Sequence, residues 1–343
     1  MVSVEISDWN DLDDIRLDLD SDYILVNDLD DSTTGYTNIG DDWEPILSFS
    51  GTLDGDNFTI SNLIINKSSE NSVGFFGYMG SIFGSDLFTI KNINFNEISV
   101  TGKYSVGGLI GSGSGSTSAH SLIQNVSITG YIYGWMYVGG MVGISNKLEI
   151  LESNTDVTVD GSENRIGGFV GATDYYTKIN KCFAKGTVIS DNAEFSGGFV
   201  GVQFFEDPIE DCYFIGTVNG TDDVGGFAGR SRAIKNCYCV ATVTGNSNIS
   251  GFVSEIGGGL HDYIENCFWN TTVGPATSTG GTGKTTTEMK DIDTYTDTTT
   301  SGLDEAWDFT DIWDIDTTTN DGYPFFKVEV ISIVGPFPTF RRG

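Results

Sequence analysis

Basic residues are scarce in this chain. Its 343 residues hold 17 Lys and Arg against 48 Asp and Glu, for a formal charge of −31. That balance excludes a nucleic acid as partner and argues against an anionic membrane surface. Histidine is almost missing: His120 and His261 stand apart in Gly/Ser-rich or acidic stretches, with no nucleophile beside either. The opening MVSVEISDWNDLDD lacks the basic start and apolar core of an export signal, and no run approaches the length of a membrane span, so no membrane insertion is expected. The five cysteines include no CxxC pair and no nearby histidine that would complete a tetrahedral zinc site. No stretch in the middle of the chain keeps a helical apolar stripe.

What is present is repetition. A six-residue phrase recurs as VGGLIG at 106–111, VGGMVG at 138–143, IGGFVG at 166–171, SGGFVG at 196–201 and VGGFAG at 224–229, with degenerate copies at 73–77 and 249–253. The steps between copies are 33, 32, 28, 30, 28 and 25 residues. A second phrase keeps step with it, from IKNINFNEISVTG at 90 to IENCFWNTTVGP at 264. Each unit carries short Val/Ile/Phe-rich runs with apolar residues at i and i+2, which is strand patterning. One unit cannot close its own apolar face, so neighbouring units must stack into a solenoid. The fold expected is all-β: a parallel β-helix of about seven coils, with a short helical N-terminal cap and a small C-terminal β segment. A propeller blade needs more residues and four strands. The paired glycines fit corners that require positive φ or close backbone approach. Leu109, Met141, Phe169, Phe199 and Phe227, each following a pair, read as an inward column.

The G-G-[LFM]-[IVA]-G units, alternating with I-x-N-C-[FY] and ending in CFWN, resemble the GLUG-motif repeats of large bacterial and archaeal surface proteins. The flanks WEPILSFSGTLDGDNFTISNLII at 43–65 and WDFTDIWDIDTTTNDGYPFF near the end are similar to the lead-in and tail of those proteins. The resemblance covers about residues 20 to 327. It implies the solenoid and an exterior setting, and it brings no catalytic residue with it.

The sequence divides into an acidic cap with the first coils at 1–67, the repeat solenoid at 68–275, and a Thr/Gly-rich loop with a C-terminal aromatic and strand segment at 276–343. Residues 1–60 and 276–343 together hold −22 of the −31. Self-repulsion of that size is relieved by screening, which suggests a saline setting or bound divalent cations; acidity that simply keeps a long β-protein soluble is the plainer reading. In the cap, Ser7 is expected as an N-cap residue, with Trp9, Leu12 and Ile15 on one face of a short helix and YILVNDLD at 23–30 beginning the strands. Residues 276–300 read as a linker or extended loop. Beyond them Trp307, Phe309, Ile312, Trp313 and Ile315 form an aromatic cluster, VEVISIV at 328–334 reads as a last strand, and PFPTFRRG as a frayed terminus.

Cys182, Cys212, Cys237 and Cys267 share one slot with Ile93, Val126 and Ser153, so they read as a stack of reduced, buried thiols, with Cys239 on the same face as Cys237. GGTGKT at 280–285 lacks the leading glycine of a phosphate loop and reads as a Thr-Gly loop. The aspartate runs at 18–22 and 311–321 offer oxygen ligands but fit no twelve-residue calcium loop. No cofactor is expected; structural calcium and any metal site stay open. Six N-x-[ST] sequons occur, at Asn57, Asn66, Asn125, Asn219, Asn248 and Asn270.

Enzymes on parallel β-helices need paired carboxylates, or carboxylates with calcium and a basic group, on one face. Asp174, Glu206, Asp207, Glu210, Asp211, Asp222 and Asp223 sit mostly at corners, and bases are thin apart from Arg230 and Arg232, so no enzyme is expected. A chain that starts at Met1, carries its own cap and ends after one solenoid reads as complete. The function expected is therefore a non-enzymatic attachment protein, a virion spike, turret or tail fibre on the virion surface or otherwise extracellular. It would be a homo-oligomer, with other virion or cell-envelope proteins and a host-surface glycan or glycoprotein as partners. Tyr131, Tyr133, Trp135, Tyr137, Tyr175, Tyr176, Phe204 and Phe205 are the candidate contact residues, because aromatic faces stack on sugar rings and exposed apolar groups mark interfaces. The alternatives are a cellular surface adhesin or cell-envelope repeat module, and a polysaccharide-degrading fibre.

Overall fold

A computed structural model describes residues 3–80, 87–115 and 119–327. The chain winds as a parallel β-solenoid of about eight turns. Three parallel sheets run along it: a long sheet of 18 strands, a six-stranded inbound sheet and a seven-stranded return sheet. In a typical turn, Ser121–Gly134 forms the long-sheet strand, Met136–Gly139 the inbound strand and Val142–Asn146 the return strand. Successive turns stay in register, with Ile123 opposite Ile150, Val138 opposite Ile166 and Val142 opposite Val170.

The six-residue phrase builds the hairpin between inbound and return strands, and each glycine in it has a separate steric duty. A Cβ on the first glycine of the pair would lie 2.3 Å from Ile110 O at Gly107 and 2.2 Å from Val142 O at Gly139. On the second glycine it would lie 2.2 Å from the next turn's Gly168 O at Gly140, and 2.2 Å from Gly198 O at Gly168. The last glycine presses on the turn before, where a Cβ on Gly143 would lie 2.5 Å from Gly111 O and from Val106 N. Of the two requirements that fit the paired glycines, close approach is therefore the one that holds; none of the pairs sits at positive φ. The residue after the pair points into the core as expected. Leu109, Met141, Phe169, Phe199 and Phe227 are fully buried, and the Phe169, Phe199, Phe227 and Phe252 rings stack at 4.7 to 4.9 Å.

The long sheet bends at a column of residues in the left-handed region. Asn92, Asn125, Glu152, Lys181, Asp211, Asn236 and Asn266 occupy this place with φ of 49 to 53°. Asparagine suits it because a short polar side chain tolerates the conformation that costs other residues about 1–2 kcal/mol. The asparagines also bond along the column: Asn125 Nδ2 donates to Asn92 Oδ1 at 3.0 Å, and Asn266 Nδ2 to Asn236 Oδ1 at 3.3 Å. The next residue turns inward, giving the slot of Ile93, Val126, Ser153 and the four cysteines. The one after turns outward, and here the column changes character, from Asn94, Ser127 and Asn154 to Phe183, Tyr213, Tyr238 and Phe268.

That outward aromatic column is what the C-terminal segment covers. Phe183, Tyr213, Tyr238 and Phe268 form a second core with Met289, Tyr295, Leu303, Trp307, Trp313, Tyr323 and Phe326. Phe183 stacks on Tyr213 at 4.8 Å and Tyr213 on Tyr238 at 5.0 Å. Polar ties fix the segment: Tyr238 Oη donates to Pro324 O at 2.6 Å, Trp307 Nε1 to Asn266 O at 3.1 Å, and Trp313 Nε1 to Asp211 Oδ1 at 3.0 Å.

Several expectations change in detail. The N-cap of helix Trp9–Asp13 is Asp8, whose carboxylate accepts from the Asn10 and Asp11 amides, while Ser7 hydrogen-bonds to Asp11. The helix begins at Trp9, so the cap position falls on Asp8, and its Oδ1 takes both amides at 2.8 and 3.0 Å. Trp9, Leu12 and Ile15 are buried as expected, and a strand at Val4–Ile6, earlier than expected, pairs with Asp22–Leu25. Residues 276–300, expected as a linker, carry a strand at Thr282–Lys284 and helices at Thr286–Met289 and Asp293–Thr296. GGTGKT is thus no free loop: its strand adds to Phe268–Asn270, and Thr285 with Glu288 makes a capping box. Trp269 closes the C-terminal end of the main core, with Nε1 donating to Pro275 O at 3.0 Å. The strand expected at 328–334 and PFPTFRRG lie outside the described residues.

Two outcomes test this packing. Gly168→Ala sets a Cβ 2.2 Å from a backbone oxygen, which cannot swing aside, so it should cost about 1–3 kcal/mol in denaturant unfolding, whereas Gly245→Ala, whose Cβ would meet the Val224 side chain at 3.0 Å and backbone no closer than 3.3 Å, should cost far less. Burial pushes the Asp211 carboxyl up from 3.8 to about 6 against the opposing hydrogen bond from Trp313. The neutral form is favoured by folding, so its stabilisation is present below pH 3.8 and is lost as pH rises through about 6. Asp211→Asn keeps an acceptor for Trp313 and places asparagine where Asn236 and Asn266 already stand. It should raise stability by about 1–3 kcal/mol at pH 7, with the gain vanishing below pH 4.

Candidate functional site

The eight aromatic candidates fall into three groups. Tyr131 and Tyr133 stand on the outer face of the long sheet; Tyr131 is 39% exposed and Tyr133 half-buried. Tyr131 Oη donates to Asp160 Oδ2 at 2.7 Å, and burial with that bond pushes its hydroxyl up to about 12. Trp135, 38% exposed, meets Tyr104 edge-on at 6.0 Å, and Lys103 Nζ lies over both rings at 4.9 and 5.0 Å.

The third group gathers where the return strand ends and the inbound strand begins. A second left-handed column runs along this edge through Ser72, Ser105, Tyr137, Arg165, Phe195, Asp223 and Asn248. Bulky residues rarely hold such φ values, and here the ladder on either side imposes them. Arg165 sits 5.0 Å from the Tyr137 ring and 5.6 Å from Phe204. Of the described arginines it alone has no carboxylate within salt-bridge reach; Arg16 pairs with Asp13, Arg230 with Glu255, and Arg232 with Glu206 and Asp262. Its Nε is buried without an acceptor, and Nη1 meets only Met136 Sδ at 3.6 Å. Beside it Tyr175 stacks on Phe205 at 3.7 Å, with Tyr175 48% and Tyr176 58% exposed. Phe204 and Phe205 are half-buried. Sequence reading found the aromatics of this corner but missed Arg165, whose signal was a lone arginine in the slot that carries Tyr137 one turn earlier.

Several of the charged residues weighed for catalysis are spent on structure. Arg232 holds Glu206 at 2.5 Å and Asp262 at 2.8 Å, and donates to Phe204 O at 3.2 Å. Asp207 accepts from the Tyr176 amide at 2.6 Å. Asp211 is the buried tie to Trp313. No group of three metal-ligating side chains occurs among the described residues. In the run at 311–321, Asp316 takes four donors from Thr318 and Thr319, which hold its carboxyl well below the usual range. Its oxygens serve a turn.

All five cysteines are buried and free. Burial pushes the Cys182, Cys237 and Cys239 thiols well up; at Cys212 burial acts the same way, and hydrogen bonds with the Cys182 and Cys237 thiols pull it down. Each sulfur in the stack donates to a carbonyl two residues back, at 3.1 to 3.3 Å. A thiol reagent such as dithionitrobenzoate should therefore find none of the five in the folded protein and all of them in denaturant. Reaction of the Cys182–Cys267 stack under native conditions would contradict the burial.

Together these features define an acidic parallel β-solenoid that displays an aromatic, arginine-centred edge. No family model matches the chain. It is 39% identical over 212 residues to halomucin of Haloquadratum walsbyi, a stretch that is 61% of this chain and 2% of that protein. The chain thus spans a very small part of the curated relative it matches. No helix among the described residues is long and apolar enough to cross a membrane.

Proposed function

We propose that this chain is an exterior structural module: a stiff, acidic spacer on a cell surface in a saline setting, without enzymatic activity, that presents its aromatic edge to saccharides or to neighbouring surface proteins. The observation that carries the reading is the unbroken solenoid. Its sheets, glycine contacts and end closures account for nearly every buried side chain, and its few basic residues are mostly held in ion pairs or over rings. The likeness to halomucin, a protein of a named organism, supports a cell-envelope setting over a virion, and the charge of −31 fits high salt, where exposed acidic groups repel one another less. The resemblance of the glycine phrases to GLUG-motif repeats points the same way.

The narrower forms belong to the same proposal: self-association into a homo-oligomer, and contact with a glycan through Tyr137, Arg165, Phe204, Tyr175 and Tyr176. Immunogold labelling of the source cells, their medium and any virus particles they release tests the reading. Label on the outer cell face is expected. Label on virus particles would move the module to a spike or fibre, and label confined to the cell interior would overturn an exterior role.

A further inference from the structure

The six sequons are equivalent in sequence and unlike in the fold. Asn270 is 1% exposed, and its Nδ2 donates to Thr286 Oγ1 and Tyr323 Oη, both at 2.9 Å, so it pins the C-terminal segment. Asn125 spends its Nδ2 on Asn92 and Asn57, and Asn248 spends its own on Asp223 at 2.8 Å. Asn57 is exposed, yet its amide oxygen is held by Asn125, and the hydroxyl residues that complete the sequons of Asn57, Asn125 and Asn248 (Thr59, Ser127 and Ser250) are all buried. Two sequons remain. Asn66 is exposed, makes no side-chain hydrogen bond, and is followed by an exposed Ser68. Asn219 is exposed with Nδ2 unengaged, its Oδ1 alone accepting from Thr244 at 2.8 Å, and Thr221 is only half-buried.

These two occupy the same column. Register runs Asn66 to Thr101, Tyr133, Asp160, Ile189 and Asn219 along the outer edge of the long sheet. Five steps of about 4.8 Å place them about 24 Å apart on one edge, with the Tyr133 ring between them. We propose that Asn66 and Asn219 are attachment sites for N-linked saccharides, which line one edge of the solenoid, while Asn270 stays bare. In the transfer, Asn Nδ2 forms a bond to the anomeric carbon of a lipid-phosphate-linked oligosaccharide. The anomeric carbon–oxygen bond breaks, the lipid phosphate leaves with the electron pair, and the amide proton passes to the transferase's base. Nothing is oxidised or reduced. The inference rests on the exterior reading, because such transfer takes place on the outer side of a membrane.

The test is glycopeptide mass spectrometry of the full chain, exported by the native signal of a host that glycosylates sequons, with one of that host's own glycoproteins as internal standard. Saccharide is expected on the Asn66 and Asn219 peptides, absent from the Asn270 peptide, and lost entirely in the Asn66→Gln, Asn219→Gln double variant, whose circular dichroism should match the parent. Bare Asn66 and Asn219 beside a modified standard would overturn the proposal, as would saccharide on Asn270 of the folded chain. Because the host supplies the export signal, this result is independent of the immunogold labelling, which tests the exterior role alone.

Discussion

The structure depends on one steric constraint: backbone meets backbone at three glycines in each of the five turns that carry the complete phrase. With a side chain at any of them, inbound and return strands could not lie against each other, nor one turn on the next. That contact brings the amides of Gly108 and Gly168 within 3.0 Å of the Gly140 and Gly198 carbonyls, so the hairpin is knit turn to turn as tightly as the sheets. It also leaves the fourth residue of the phrase nowhere to go but inward. The stacked Phe169, Phe199, Phe227 and Phe252 rings follow from the glycines before them, and dispersion between rings less than 5 Å apart adds to the apolar area they bury.

The left-handed columns do a different job. They set the bends of each turn and thereby decide which residues face out. On the long sheet, the bend at Asn236 sends Cys237 inward and Tyr238 outward, so a single conformational choice supplies both the thiol stack and the platform for the C-terminal segment. On the opposite corner the same conformation projects Tyr137, Arg165 and Phe195 from the edge. What this surface can contact is a consequence of bends imposed by the ladder, which carries bulky residues through conformations they avoid elsewhere.

Much of this was legible in the sequence, because a repeat prints its packing many times. The strand period, the inward residue after each glycine pair and the buried cysteine slot all follow from side chains compared at one position across turns. The parts that were not legible occur once. The capping box of Thr285 and Glu288 was hidden in a Thr-rich stretch that resembles a linker by composition. The cover over Phe183, Tyr213 and Tyr238 joins residues about a hundred positions apart, and no period announces it. Arg165 looked ordinary because its significance lies in the carboxylates it does not meet.

If glycine contacts hold the turns together, the hairpins cannot open without the whole solenoid opening. Native-state hydrogen exchange resolved to single amides measures this directly. The amides of Gly108, Gly168 and Gly226 should exchange only through global unfolding, with the same free energy and denaturant dependence as core amides such as Ile150 and Ile179 in the long sheet. Exchange at those glycines through a smaller, denaturant-insensitive opening would contradict the account, and would place the stability of the fold in the long sheet alone.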